Sequence, residues 1–102
     1  MHPVRDHIVM NYVYILRSEK SGKFYTGSTN DLRKRLKQHN ENKSSYTKNK
    51  GPWKIIYYET CINEQDARSR EKYLKTGTGK RYLKNRLRHF LPARQSQSEN
   101  IC

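Results

Sequence analysis

At 102 residues the chain has room for one compact domain and not for two ordinary ones. Its 22 lysines and arginines against 9 acidic residues give a formal net charge of +13, more than solubility asks of so small a domain, so a polyanion is the expected partner. Nucleic acid fits better than a membrane surface: the basic residues alternate with tyrosines and turn residues, and no apolar run is long enough to span a bilayer.

Neither terminus carries a sustained periodic pattern, so residues 1-10 read as a flexible N-terminal arm, 11-91 as the folded domain and 92-102 as a flexible C-terminal tail. Tyr12 to Ile15 favour a first strand, and the polar run to Lys23, with Gly22, supplies a hairpin turn. Phe24 to Ser28 is the returning strand. Period-two geometry puts Tyr12, Tyr14 and Leu16 on one side of the first strand and Val13 and Ile15 on the other. Gly27 leaves room for another backbone or a ligand to approach.

Asn30 can cap a helix with Leu32 and Leu36 as its buried stripe, and Arg35 and His39 share the adjacent i,i+4 face. The polar segment from Asn42 to Pro52 reads as an exposed lysine-rich loop, with Tyr46 its one aromatic residue. It can follow a phosphate backbone or be simply solvated. Trp53 to Thr60 has the content of a third strand, and its apolar density on both faces points to a central place in the sheet. Cys61 reads as a buried small hydrophobe at the strand end; with Cys102 it shows neither metal-ligand spacing nor a disulfide scaffold. With no secretory pattern, the expected location is the cytoplasm, the nucleoid included.

Asn63 with Asp66 opens a second helix through Ala67, Tyr73 and Leu74 to a stop at Gly77; Thr78 caps a last helix with Leu83, Leu87 and Phe90, ended by Pro92. The fold class is α/β (α+β), a small sheet covered by helices.

Glu71 lies beside the core-facing Ala67 and Leu74, where a carboxylate needs compensation. Mg²⁺ (or Mn²⁺) would provide it; pairing with Arg68, Arg70 or Lys75 at the surface is the alternative. Tyr14 and Tyr25, neighbours across the hairpin, can assist in removing a proton from water if nearby cations favour the phenolate, a charge that Arg35 would supply while gripping a phosphate. Ordinary sheet packing explains each tyrosine singly. His39 can relay a proton or bond a tyrosine hydroxyl, or stand in water at the helix end. Asn85 can reach a phosphate or orient the glutamate, or be a solvated polar residue. Arg33, Lys37, Lys48, Lys50, Lys80 and Arg81 are the side chains expected to meet a phosphate backbone. Thr78 to Arg81 lacks the strand and glycine spacing of a nucleotide-binding loop.

Val13-Tyr14-Ile15, the run Tyr25 to Leu32, Arg35 to His39 and Glu71 to Lys75 together resemble the GIY-YIG endonuclease domain, above all its small stand-alone bacterial members of the UPF0213 type. The resemblance implies a three-stranded antiparallel sheet flanked by helices and Mg²⁺-dependent hydrolysis of DNA phosphodiester bonds, with structure or weak sequence selectivity. By position, Tyr14 and Tyr25 match the two motif tyrosines, one of them a general base or water-orienting group. Arg35 matches the phosphate-steadying arginine, Glu71 the lone metal-binding glutamate, His39 an auxiliary residue and Asn85 a phosphate-side asparagine. Both triplets depart from the family name, with Val13 and Thr26 at positions of glycine and isoleucine, and Ser28 stands where some DNA-repair members carry a lysine. DNA is the expected substrate, with RNA as the other polyanion. The alternative function is a catalytically inactive nucleic-acid-binding module of the same fold.

Overall fold

The computed structural model describes residues 9–91; most of the expected arms, and the helix stop at Pro92, lie outside the described residues. The element order is β1 (Asn11–Ser18), β2 (Phe24–Thr29), α1 (Leu32–Asn40), β3 (Trp53–Cys61), α2 (Glu64–Leu74) and α3 (Gly77–Arg86). The strands form one antiparallel sheet in the order β2-β1-β3. Two compact units divide the chain after Glu71, the first holding the sheet, α1 and most of α2, the second the end of α2 and α3.

The central strand is β1, not β3 as its apolar content led one to expect. Val13, Tyr14, Ile15 and Leu16 are each at most 1% exposed, so both faces of β1 are covered. On the edge strand β3, Tyr58 is exposed, and the tyrosines there serve lateral contacts: Tyr12 against Tyr58 edge-on, Tyr57 hydroxyl donating to Glu59. A central strand of β-branched and aromatic residues stabilises through burial, about 1.5–3 kcal/mol for each large apolar side chain withdrawn from water. Tyr14 and Leu16 project with Trp53 into one cluster, against which Tyr25, Leu32, Leu36 and Ile55 pack, in agreement with the alternation read from the sequence.

The β1–β2 turn follows from Ser18 and Gly22. The Ser18 hydroxyl accepts from the amides of Lys20 and Ser21, and Gly22 takes the left-handed conformation at φ +78°. Helix α1 is capped by Asp31 rather than Asn30: Asp31 is extended, and its carboxylate accepts from the Lys34 amide. Asn63 does open α2, accepting from the amides of Gln65 and Asp66. Its end comes earlier than expected. Thr76, not Thr78, caps α3, and Gly77 opens that helix instead of closing α2. The reason is close packing within the second unit: a Cβ on Gly79 would run into the Tyr73 carbonyl and the Leu74 backbone, so the chain must turn immediately after Leu74. Leu83 and Leu87 are buried, whereas α3 stops at Arg86 and Phe90 is exposed. Cys61 sits at the end of β3 but is only half-buried.

The segment between α1 and β3 is not the exposed loop its polarity implied. Thr47 is fully buried and Ser44 nearly so. The segment is tied to the sheet, with the Ser18 hydroxyl donating to the Lys50 carbonyl and the Asn40 side chain bridging both backbone groups of Trp53. Burial of Thr47 is tolerated because its hydroxyl and its carbonyl both find partners, in His39 and in the Trp53 indole.

Candidate active site

In the β1–β2 register Tyr14 stands opposite Gly27. The Tyr14 ring lies across the glycine, so that a Cβ there would come within 2.5 Å of the phenolic oxygen. Gly27 therefore makes room for a side chain of its own sheet, where the sequence had suggested a backbone or ligand. Tyr25, two residues away on the same face of β2, places its ring centroid 6.4 Å from that of Tyr14.

Over this pair α1 lowers His39, which is completely buried rather than standing in water. Tyr14 Oη and His39 Nε2 are 2.8 Å apart, and His39 Nδ1 and Thr47 Oγ1 are 2.7 Å apart. The His39 ring also meets Tyr25 edge-on at 5.0 Å. The result is a buried chain of three polar groups running from the central strand through the helix into the following segment. Thr47 is held from its other side as well, its carbonyl accepting from the Trp53 indole N–H.

Burial sets the charge state of this chain. Desolvation first, and the neighbouring Arg35 cation second, lower the His39 pKa from 6.5 to about 4, so the imidazole is neutral at pH 7. One ring nitrogen then donates and the other accepts. Desolvation also raises the Tyr14 hydroxyl from 10.0 to about 12; Arg35, through a hydrogen bond and its charge, opposes the rise, while Tyr25 and Glu71 add to it. The expectation that cations would favour a phenolate at Tyr14 is thus reversed. Water removed from around the ring outweighs the one guanidinium beside it.

Arg35, half-buried, directs Nη1 to the Gln38 side chain at 3.0 Å and acts on both members of the tyrosine–histidine pair. Glu71 approaches from α2, where its Oε1 accepts from the Ser28 hydroxyl at 2.6 Å. The competing cation on its own helix is occupied locally: Arg68 pairs with Glu64 at 2.6 Å. Arg70 forms a two-pronged bond to Glu59 at 2.8 and 3.0 Å. Glu71 and Ser28 border a cleft of about 380 Å³ that Asn11, Thr29, Asn30 and Arg68 also line.

No group of three or more histidine, cysteine, aspartate or glutamate side chains stands together as a metal cage among the described residues. At the cleft the Glu71 carboxylate stands beside the Ser28 hydroxyl, two hard oxygen donors, while the Glu64 carboxylate on the same lining is paired with Arg68. The two donors fit Mg²⁺, which keeps several waters and is held by one or two carboxylates together with substrate phosphate.

The fold thus brings Tyr25, Arg35 and His39 to Tyr14, while Glu71 stands at the cleft on Ser28. Asn85 lies exposed on α3 in the second unit, where its carbonyl accepts from Arg88. Lys80 and Arg81 are exposed on the same helix. Arg33, Lys37, Lys48 and Lys50 are exposed in the first unit, Lys37 beside Glu41 at 3.9 Å and Lys50 over the Tyr46 ring. Sequence reasoning missed Thr47 and the Ser28–Glu71 bond. Nothing local distinguishes Thr47 from the serines around it, since its role comes from a partner eight residues earlier in the chain.

A tyrosine on each strand of a hairpin, with a glycine beneath one ring, is the structural form of two sequence triplets. A model of the GIY-YIG catalytic domain matches residues 10–89, and the chain belongs to the GIY-YIG family, among its small bacterial UPF0213-type proteins. It is 49% identical over 67 residues to UPF0213 protein CPE1444 of Clostridium perfringens, covering 65% of this chain and 71% of that protein. To UPF0213 protein YazA of Bacillus subtilis it is 36% identical over 72 residues, 70% and 72% of the two chains. The solution NMR structure of UPF0213 protein BH0048 from Bacillus halodurans is 31% identical, with a TM-score of 0.46 over 72% of this chain and 81% of that one. No helix among the described residues is long and apolar enough to cross a membrane.

Proposed function

We propose that the protein is a Mg²⁺-dependent endonuclease that hydrolyses DNA phosphodiester bonds. The observation that carries this reading is the buried Tyr14–His39 hydrogen bond beside the Arg35 cation, with the Glu71 carboxylate held by Ser28 at an open cleft. Glu71, with Ser28 beside it, would hold the metal ion, which supplies positive charge to the phosphoryl oxygens when bound.

In this mechanism the Tyr14 hydroxyl donates to His39 Nε2, and the Nδ1–H of His39 donates to Thr47. Substrate binding opens the Tyr14 oxygen, buried in the free protein, to the attacking water, from which its remaining lone pair accepts. As the water oxygen bonds to phosphorus its proton is released to solvent, the bond to the leaving sugar oxygen breaks, and that oxygen is protonated from solvent, while Tyr14 and the neutral His39 keep the water aligned. A hydroxyl with a pKa of about 12 can serve here because it never has to exist as a free phenolate. Arg35 steadies the phosphate through charge-assisted hydrogen bonds. Exposed Arg33, Lys37, Lys48, Lys50, Lys80 and Arg81 supply the phosphate contacts that bring DNA to the site, and Asn85 is a further phosphate-side group.

A second reading, a catalytically silent nucleic-acid-binding module, draws on the Ser28–Glu71 bond: position 28 brings a neutral hydroxyl to the carboxylate where a lysine would bring charge. Cleavage of duplex, flap and branched DNA with Mg²⁺, with Mn²⁺ and with EDTA, by wild type and Glu71→Ala, separates the two. Products that vanish both with EDTA and with the variant support the nuclease; retention of DNA with no product under any metal supports the silent module.

A further inference from the structure

A second cavity, of about 310 Å³, opens between the β1–β2 turn and the segment that precedes β3. Three aromatic residues, Phe24, Tyr46 and Trp53, and three lysines, Lys20, Lys23 and Lys50, line it. Trp53 is buried core, but Tyr46 is 63% and Phe24 38% exposed, so both residues present aromatic surface to water where a packing role would have covered it. Lys50 Nζ stands 4.5 Å from the Tyr46 centroid, so cation and ring are presented together.

The platform is held in place. Thr47, next to Tyr46, is anchored by His39 and by the Trp53 indole, and the Lys50 carbonyl is fixed by Ser18. Tyr46 itself lies 5.5 Å from Tyr25, the rings inclined by 32°. The aromatic row therefore runs from the cavity to Tyr25 and on to the active-site pair. Exposed aromatic surface on a lining that also carries three lysines matches an unpaired nucleotide, whose base stacks while its phosphates meet the lysines; a paired base inside a duplex has no face to offer.

We propose that this notch binds one unpaired nucleotide of the nucleic-acid substrate, its base on Tyr46 and its phosphates at Lys20, Lys23 and Lys50. The inference rests on the nucleic-acid reading above and narrows it: the preferred substrate carries an unstacked base, as in a flap, bulge or single strand, rather than continuous duplex.

The test compares binding by fluorescence anisotropy, without metal, of three labelled DNAs of equal length: a duplex, the same duplex with a short flap, and that flap with its bases replaced by abasic units. The abasic flap keeps every phosphate and removes only the stacking faces. The flap should bind at least about fivefold more tightly than its abasic form, the worth of a single base–aromatic stack. Tyr46→Ala should abolish that difference and Tyr46→Phe preserve it. Equal binding of flap and abasic flap by the wild type, or an undiminished difference in Tyr46→Ala, would overturn the notch while leaving nucleic-acid binding standing. No binding of any of the three would remove both.

Discussion

The Tyr14–His39–Thr47 chain and the Ser28–Glu71 pair are both short side-chain hydrogen bonds at one site, yet they live under different physical conditions. The first is sealed: His39 and Thr47 show no exposure, and Tyr14 only 1%. The second borders an open polar cleft, and both its members are half-buried. Sealing moves proton affinities, pushing Tyr14 up to about 12 and His39 down to about 4. Openness lets water, an ion or a phosphate reach the carboxylate. Within the candidate site Tyr14, His39 and Thr47 are thus dry and the Glu71 carboxylate is open to water, and the two can be perturbed separately.

The largest expected separation is between chemistry and binding. Glu71→Ala should lower metal-dependent cleavage by about 10²-fold or more, the usual scale for losing a group that organises charge at the transition state, while DNA retention changes little. Equal cleavage by wild type and variant would remove Glu71 from the mechanism.

Next comes the pH dependence of stability. The His39 pKa is depressed in the fold, so between about 4 and 6.5 the unfolded chain binds the extra proton. Its contribution to stability is intact above pH 6.5 and is lost as pH falls through that window, by up to about 3 kcal/mol. Urea unfolding at pH 7, 5.5 and 4.5 should show this loss, and His39→Gln should flatten the difference relative to wild type. A slope unchanged in the variant would mean that another group titrates.

A smaller effect contrasts the two bonds directly. Thr47→Val leaves a buried imidazole nitrogen without a partner and should cost about 1–3 kcal/mol, whereas Ser28→Ala opens a place that water can fill and should cost less than about 1 kcal/mol. Chemical denaturation of both variants measures the comparison; similar costs would show that the cleft is as dry as the chain. Smallest is the contribution of a single surface cation. Lys48→Gln should reduce the salt slope of DNA binding by about 1 and weaken all sequences alike.

Much of the site was legible before any coordinates. Local features carry their own signatures: β-branched and aromatic runs for strands, Ser18 to Gly22 for the turn, Asn63 for a cap, and the spacing of Arg35 and His39 on one helix face. Two caps were misplaced by one and two residues, Asp31 for Asn30 and Thr76 for Thr78, and the larger misreadings were of environment. The density of apolar residues in β3 looked like a central strand, but whether a strand lies at the centre depends on which neighbours it finds on both edges. The polar segment before Trp53 looked solvated, and Thr47 is nonetheless buried against a histidine and an indole, with Lys50 tied to Ser18 further along. The helix boundary near Gly77 was decided by a close approach at Gly79 that no propensity records.

By itself the amino-acid sequence determined the element types, the overwhelming positive charge and the ionisable groups available to a candidate site, because backbone preferences and ionisable chemistry belong to the residues themselves. Only the tertiary structure decided which of those groups are dry. Desolvation is a property of everything packed around an atom, and it made Tyr14 a retained hydroxyl, His39 a neutral ring and Thr47 their partner, while leaving Glu71 at the edge of water.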